Sequence, residues 1–174
     1  MATLYKQRKK YSRPRKAFDI TRITLENDLM EKYGLKNKRE IWKAEAVVDK
    51  IRGQAKKLIT SPSDEQEKFI SKLINKGFIK KNSKIDDVLE LKAESVFERR
   101  LQTIVLKKGL AKTSKGARQA IVHKHILLNN HVVNIPSYSV DVDEEKSIEL
   151  RQKIKKAKSS DAQNIKEEKE ENVA

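Results

Sequence analysis

The side chains best suited to chemistry in this chain are cations that bind phosphate, and they are concentrated between residues 99 and 139. That segment of 41 residues carries eight Lys or Arg and no Asp or Glu. Arg99, Arg100 and Arg118 stand out in it, because a planar guanidinium matches a phosphate group better than an ammonium does. For any single Lys a solvated surface is the better interpretation. The exclusion of acids over the whole segment, however, predicts a surface that binds a polyanion.

A second group of cations lies at the N-terminus, where residues 1–17 contain seven Lys or Arg and no acid. Tyr5, Tyr11 and Pro14 are interleaved with them. The segment has too few apolar residues to fold by itself, so it is either a solvated terminus or an arm that nucleic acid orders. The charge density favours the arm, whose aromatic rings could stack on bases or pack on a neighbouring lobe.

Residues that could catalyse a reaction or hold a metal show no such organisation. The three histidines, His123, His125 and His131, have neither a cysteine nor a nearby acid to complete a set of three or four metal ligands. The five glycines form no motif of a phosphate-cradling loop. Acids are numerous at 86–98 and 141–149, yet no pattern selects a pair for acid–base catalysis. The sequence therefore predicts no catalytic residue, no metal and no cofactor.

Composition restricts the class of protein further. The 174 residues carry a formal net charge of +15, and 37% of them are charged. Residues 1–60 contribute +10 and residues 99–139 contribute +8, whereas the rest of the chain is slightly negative. No apolar run approaches the roughly 18 residues of a transmembrane helix, and the basic N-terminus lacks the apolar stretch of a signal peptide. We expect a soluble intracellular protein that binds a polyanion and no membrane, although charge alone does not separate DNA from RNA.

The elements that must position these cations begin with an all-helical lobe. A first helix is expected to be capped by Thr21 or Thr24 and to end near Gly34. Its apolar face would hold Ile23, Leu25 and Leu29. Asn37 and Glu40 resemble the capping box of a long second helix. The apolar stripe of that helix comprises Ile41, Ala44, Val48, Ile51, Ala55 and Leu58.

Residues 94–150 are predicted to form a module of two helices on a small sheet. Four apolar residues have the spacing of one continuous first helix: Phe97, Leu101, Ile104 and Val105. Gly109 is suited to end this helix, and the pair Thr113-Ser114 is suited to cap the next one. The pair Asn129-Asn130 fits a tight turn between two short antiparallel strands, because asparagine tolerates positive φ. The two basic helices would then share one surface.

The expected fold class is α+β, with a mainly helical lobe and a small antiparallel sheet. We expect a basic arm without regular structure over 1–20, the helical lobe over 21–93 and the module over 94–150. Residues 151–174 are rich in Lys, Glu, Ser and Gln and have almost no apolar anchors. This tail is expected to be disordered, because it cannot bury enough apolar surface to offset its loss of entropy.

Residues 97–138 resemble the RNA-binding module of the S-four family, and they read FERRLQTIVLKKGLAKTSKGARQAIVHKHILLNNHVVNIPSY. Four strings carry most of the resemblance: ERRLQT at 98–103, ARQ at 117–119, HKHI at 123–126 and IPSY at 135–138. Outside the module, two more strings resemble the universal S-four family of small-subunit ribosomal proteins in its archaeal type, whose eukaryotic counterpart is S-nine: RKKYSRPRKAF at 8–18 and YGLKNKREIWKAE at 33–45. Free-standing modules in pseudouridine synthases, tyrosyl-tRNA synthetases and heat-shock RNA binders are not accompanied by such an arm and lobe.

The resemblance implies a structural protein, and no enzyme, in the small subunit of the cytoplasmic ribosome. It implies docking on the 5′ domain of small-subunit ribosomal RNA at a helical junction, support of assembly, and a position near the mRNA entry channel beside protein S-five that influences accuracy. The RNA-binding residues expected in the module are Arg99, Arg100, Lys107, Lys112, Ser114, Lys115, Arg118, Gln119 and His123. Those expected in the arm are Arg8, Lys9, Lys10, Arg13 and Arg15.

Two alternatives are weighed against this interpretation. An RNA-modifying enzyme could carry the module as its substrate anchor, but it would need a catalytic domain, and only 24 residues follow the module. A screen for base modification would reveal such an enzyme. A DNA-binding helix-turn-helix regulator could also present two basic helices, although no feature indicates an effector pocket. Competition between RNA and duplex DNA would test that alternative.

Overall fold

The computed structural model describes residues 9–151, which form a helical lobe followed by a smaller module of helices and strands. The helices are α1 (Ile20–Tyr33), α2 (Lys38–Leu58), α3 (Ser63–Asn75), α4 (Ile85–Leu89), α5 (Ala93–Glu98), α6 (Leu101–Lys107), α7 (Ser114–Val122) and α8 (Val142–Glu145). The strands are β1 (Ile126–Leu128), β2 (His131–Val132) and β3 (Glu149–Leu150). The predicted α+β class is confirmed. Arg8 and the tail predicted to be disordered, from residue 152 onward, lie outside the described residues.

Helix α1 begins earlier than its sequence indicates. Asp19 has the extended backbone of an N-cap residue, so that Thr21 and Thr24 lie inside the helix and neither caps it. The end of the helix is as predicted. Gly34 has a φ of +60° and donates its backbone N–H to the last turn, in the left-handed conformation that glycine adopts without strain.

The buried face of α1 is centred on a carboxylate, so Leu25, expected on the apolar face, is 64% exposed. Glu26 is buried and accepts from Arg22 at 2.5 Å and from the indole N–H of Trp42 at 3.0 Å, and Lys38 Nζ lies 3.2 Å away. Burial disfavours the charged carboxylate, but these donors outweigh it and lower the pKa of Glu26 below its ordinary value. A polar cluster thus fastens α1 to the start of α2.

Helix α2 is the central element of the lobe. Five of its six predicted apolar positions are buried: Ile41, Ala44, Val48, Ile51 and Ala55. The N-terminal half of the helix packs against Tyr33 and Phe97, and its C-terminal half packs against Leu73 and Val88. Asn37 precedes the helix as predicted, yet its side chain makes no capping hydrogen bond. The predicted capping box is wrong, because the carboxylate expected to complete it pairs with two arginines of the module.

The continuous helix predicted through residues 97–105 is wrong. Helix α5 ends at Glu98 with Arg99 as its C-cap, and Arg100 has an extended ψ of 141° before α6 begins. The backbone N–H of Leu101 donates to Tyr138 O at 2.8 Å instead of to the preceding turn. Phe97 packs in the lobe, whereas the apolar residues of α6 pack in the module. Helical spacing concealed the break, since apolar residues on both sides of it are buried.

Helices α6 and α7 pack on a three-stranded antiparallel sheet with the strand order β2-β1-β3. Their common core comprises Leu101, Ile104, Val105, Ala117, Ile121, Ile126, Leu128, Val140 and Ile148. Thr113 caps α7, as predicted, by accepting the backbone N–H of Gly116 at 3.0 Å. Gly109 follows α6 with a φ of +70°, and Asn129 and Asn130 have φ of +49° and +64° in the predicted turn. These local signals predicted the end of α6, the cap of α7 and the turn between β1 and β2.

Candidate nucleic-acid interface

A carboxylate of α2 connects the lobe to the module. Glu40 accepts from Arg100 Nη2 at 2.5 Å and from Arg118 Nη2 at 3.0 Å. Arg100 lies at the break between α5 and α6 and is only 6% exposed, whereas Arg118 lies on α7 and is partly exposed. Burial opposes ionisation of Glu40, but the hydrogen bonds from both guanidinium groups outweigh it and lower the pKa of the carboxyl. We call Glu40, Arg100 and Arg118 the ionic joint.

Gln102 supports the same junction between lobe and module without a charge. Its side chain is 1% exposed, and Nε2 lies 3.1 Å from Tyr33 O, 3.0 Å from Gly34 O and 2.9 Å from Ser114 O. The side chain of Ser114 approaches the backbone of Gly34 so closely that a Cβ on Gly34 would lie 2.8 Å from Ser114 Oγ. Gln102 was not among the residues predicted to have a role. An amide amid the apolar residues of α6 was the signal that could have identified it.

Arg99 fastens the far end of the module. Its Nη1 donates to Glu145 at 2.7 Å, and its Nη2 donates to Val140 O at 2.9 Å. The guanidinium also lies against the lobe, since a Cβ on Gly77 would lie 2.8 Å from Arg99 Nε. Because Gly77 has a φ of +68°, this position requires glycine both for its conformation and for the space that the arginine occupies.

Arg99 and Arg100, both predicted to contact RNA, have carboxylate partners within the protein. The guanidinium groups of both are largely buried and paired with carboxylates, so their geometry assigns them to holding lobe and module together. The segment from 99 to 139 has no acid of its own, but Glu40 and Glu145 reach its arginines from either side. Local charge counts do not reveal such pairing, because the acids come from distant parts of the chain.

A groove of about 660 Å³ opens between lobe and module beside the ionic joint. The cations that line it come from three parts of the chain: Lys10, Arg39, Lys43, Arg100 and Arg118. Among the described residues that line the groove, Glu40 is the one acid, and it is already paired with two arginines. Arg39 and Lys43 are exposed there, although the sequence analysis did not select them. Both belong to the string at 33–45 on which the family resemblance partly rests.

The outer face of α7 continues this cationic surface. Lys115 and Gln119 are exposed one turn apart, Lys112 is exposed just before the helix, and His123 is exposed at its end. Ammonium and amide donors at this spacing can contact successive phosphate and sugar oxygens of one strand. Lys107 is exposed on α6, where its ammonium group lies 3.6 Å from a carboxylate of α5. The structure thus groups four of the predicted residues and leaves Lys107 on a different helix.

The arm contains no helix or strand between residues 9 and 19, but it is anchored to the lobe at two points. The ring of Tyr11 packs on that of Trp42 with centroids 6.0 Å apart. Arg22 Nη2 donates to Lys16 O at 3.1 Å and to Ala17 O at 3.0 Å. We call residues 11–17, between these anchors, the basic loop. The exposed cations of the loop and of the two described residues before it are Lys9, Lys10, Arg13, Arg15 and Lys16.

Residues 9–151 offer neither a metal site nor a membrane-spanning helix. In that part of the chain, no three His, Cys, Asp or Glu side chains are grouped so that they could hold a metal ion. Over the same residues, no helix has both the length and the apolar character needed to cross a bilayer. The site with the clearest chemistry is the surface formed by the groove, the outer face of α7 and the basic loop, which we call the cationic surface.

This pairing of two helices with a small sheet, with donors on the second helix, is the architecture of an S4 domain. The model of that family, described as S4 domain, matches residues 99–146. The match begins at Arg99, the C-cap of α5, which agrees with the observed break between α5 and α6.

Whole-chain relatives extend the match to the lobe, and they are archaeal proteins named small ribosomal subunit protein uS4. The protein of Nanoarchaeum equitans is 45% identical over 84% of this chain and 85% of the relative. That of Methanothermobacter thermautotrophicus is 44% identical over 82% and 86%, and that of Saccharolobus islandicus is 44% identical over 83% and 82%. This chain belongs to the family of small ribosomal subunit protein uS4. The names of these relatives are those of ribosomal proteins and not of enzymes.

Proposed function

We propose that this chain is a structural, RNA-binding component of the small subunit of the cytoplasmic ribosome. The observation that carries the proposal is the cationic surface, which draws on three parts of the chain. Among the described residues that line its groove, the one acid is already paired with two arginines of the protein. Its free donors suit a sugar-phosphate backbone, because each phosphate takes a charge-assisted hydrogen bond from Lys or Arg. Membership of the uS4 family supports ribosomal RNA over DNA as the partner.

The rigid connection between lobe and module supports a helical junction as the RNA target. The ionic joint and Gln102 hold the groove and α7 in one relative orientation. A protein of this kind recognises RNA through the spacing of its phosphates, since the major groove of A-form RNA is too narrow to read. We infer that it binds the 5′ domain of small-subunit ribosomal RNA where several helices meet, and that it holds them for assembly.

The residues that we propose to contact RNA are the exposed members of the predicted set together with two from the lobe. They are Lys9, Lys10, Arg13, Arg15, Lys112, Lys115, Arg118, Gln119 and His123, with Arg39 and Lys43 added from the groove. Arg8 belongs to the same proposal by its position in the arm, Ser114 contributes from its half-buried place on α7, and Lys107 contributes from α6.

We also propose the division of the chain into arm, lobe, module and tail, with one refinement. Phe97 packs in the core of the lobe, so α5 is assigned to the lobe and the module begins at Arg99. On the family resemblance we further propose a position beside protein S-five near the mRNA entry channel, and a contribution to translational accuracy there.

RNA binding measured against salt tests the central proposal. The full chain is titrated with the junction RNA and with a plain duplex of equal length. We expect tighter binding of the junction at physiological salt and a steep linear loss of log affinity with log salt. Lys112→Ala with Lys115→Ala should reduce that slope by about two, whereas Lys68→Ala with Lys72→Ala on α3 should leave it unchanged. Equal affinity for both RNAs would refute the junction proposal.

A further inference from the structure

The most exposed large apolar side chain among the described residues is Phe18, which directly follows the basic loop. It is 92% exposed, and Ile20, two residues further along the chain, is 75% exposed. Burying an aromatic ring stabilises a folded protein, and a ring left in water does not contribute this stabilisation. A single exposed apolar residue needs no explanation, but these two lie together at the end of a cationic segment.

Phe18 is held out by a built turn and not by a fraying end. Arg22 donates to the carbonyl oxygens of Lys16 and Ala17, just before the ring, and its other nitrogen donates to buried Glu26. The chain is therefore fixed one residue before Phe18, and α1 begins two residues after it. A ring fixed at both sides loses little conformational entropy when a ligand packs on it.

A shallow recess of about 490 Å³ lies beside the ring. Its lining combines apolar, anionic, hydroxyl and cationic groups: Lys16, Phe18, Asp19, Ile20 and Thr21. The Asp19 carboxylate accepts the hydroxyl of Thr21 at 2.7 Å, and this bond lowers the pKa of Asp19, so the recess keeps a negative charge. A carboxylate repels a phosphate group but accepts hydrogen bonds from the amino groups of bases.

We propose that this recess receives an unpaired RNA base, which stacks on Phe18 while its phosphates lie along the exposed cations of the basic loop. The inference rests on the proposed function and deepens it by naming a base-stacking site. Charge complementarity selects the occupant: the loop before the ring carries Arg13, Arg15 and Lys16 and no acid. Stacking on aromatic side chains is how proteins hold splayed bases of RNA loops and junctions.

The test compares variants of Phe18 in the full chain on two RNAs. Phe18→Ala should weaken binding to a junction RNA with unpaired bases by about tenfold, the loss typical of one stacked base. Its affinity for a fully paired duplex of equal length should not change. The log–log salt slope should also stay the same, because no phosphate contact is lost. Phe18→Trp should retain the affinity of the native chain.

Ile59→Ala is the matched control, because Ile59 is also an exposed apolar residue, 46% exposed, but lies at the far end of α2. Urea unfolding should be the same for both alanine variants. Unchanged junction affinity in Phe18→Ala, or equal losses on both RNAs, would overturn the stacking site. Lost incorporation into reconstituted subunits without lost RNA affinity would assign the recess to a protein and also overturn it. If the native chain itself binds neither RNA, the proposed function fails instead.

Discussion

The ionic joint and the outer face of α7 use the same kinds of side chain for opposite tasks. In the joint, Arg100 is buried and its charge is matched by Glu40. On the outer face of α7, Lys115 is exposed and has no acid on its own helix. A buried cation without a partner is costly, whereas an exposed one is solvated until a phosphate replaces its water. Whether a cation holds the fold together or is available to a phosphate is decided by its burial and by the nearest carboxylate, and not by its residue type.

The largest loss of stability is expected from removing the negative charge on which the ionic joint depends. Glu40→Gln leaves the buried Arg100 without a counter-charge, so we expect it to lower the free energy of unfolding by about 3 kcal/mol. Urea denaturation followed by circular dichroism measures this change. Glu45→Gln is the matched control on the same helix. The pKa of Glu45 is raised by burial and by the nearby carboxylates of Glu26 and Asp49, so its neutralisation should be harmless or slightly stabilising.

A loss below about 1 kcal/mol in Glu40→Gln would show that the joint is as weak as a surface ion pair. In that case lobe and module would depend mainly on Gln102 and Arg99 for their relative orientation.

The contrast also depends on where the partners of these cations come from, which sequence patterns do not show. Local signals predicted the apolar stripe of α2, the Thr113 cap of α7 and the Asn129-Asn130 turn, because each depends on residues within a few positions. The break before Arg100 depends on the contact of Leu101 with Tyr138. Two of the three carbonyl oxygens around Gln102 lie 69 and 68 residues away along the chain. Helical periodicity and charge counts contain no information about such contacts.

The same limit explains which parts of the candidate site were predicted. The acid-free segment and the basic arm indicated a polyanion partner, and the resemblance indicated ribosomal RNA. Exposed Lys115 and Gln119 were selected by charge and helical position, which suffice for a solvent-facing helix. Arg39 and Lys43 were missed because α2 carries acids as well, and only the fold turns these two cations toward the module.

Lowering the pH weakens the ionic joint in a second way, because it protonates Glu40. The pKa of Glu40 is lowered in the folded protein, so its ionised form stabilises the fold above its unfolded pKa, near the ordinary value of 4.5. That contribution is lost as the pH falls from 4.5 through the folded pKa. The stability gap between the native chain and Glu40→Gln should therefore begin to narrow near pH 4.5 and continue to narrow as the pH falls further. Urea titrations at stepped pH measure it.

Glu45→Gln should behave in the opposite sense in these titrations. Because the pKa of Glu45 is raised, any advantage of its neutralisation exists at neutral pH and vanishes as the native carboxyl becomes protonated. A gap between native chain and Glu40→Gln that stayed constant over the whole range would contradict the assignment of Glu40 as the titrating group of the joint.

Arg118 belongs both to the ionic joint and to the lining of the groove, and the smallest effects are expected from its substitution. One guanidinium nitrogen donates to Glu40, yet a quarter of the side chain is exposed and lines the groove. We expect Arg118→Ala to lower the free energy of unfolding by about 1 kcal/mol, less than loss of Glu40, because Arg100 still neutralises the carboxylate. The same variant should make the salt dependence of RNA binding shallower by about one, since one phosphate contact is lost.

Two neighbouring variants bracket this result. Lys115→Ala should change only the salt slope, and Arg100→Ala should change only the stability, because the first side chain is exposed and the second is buried. A normal salt slope in Arg118→Ala would assign Arg118 wholly to the joint and move the boundary of the RNA site outward to Lys115. Normal stability with a changed slope would move that boundary inward, so that Arg100 alone holds Glu40. Either shift would be read directly from the same two measurements, urea unfolding and RNA titration.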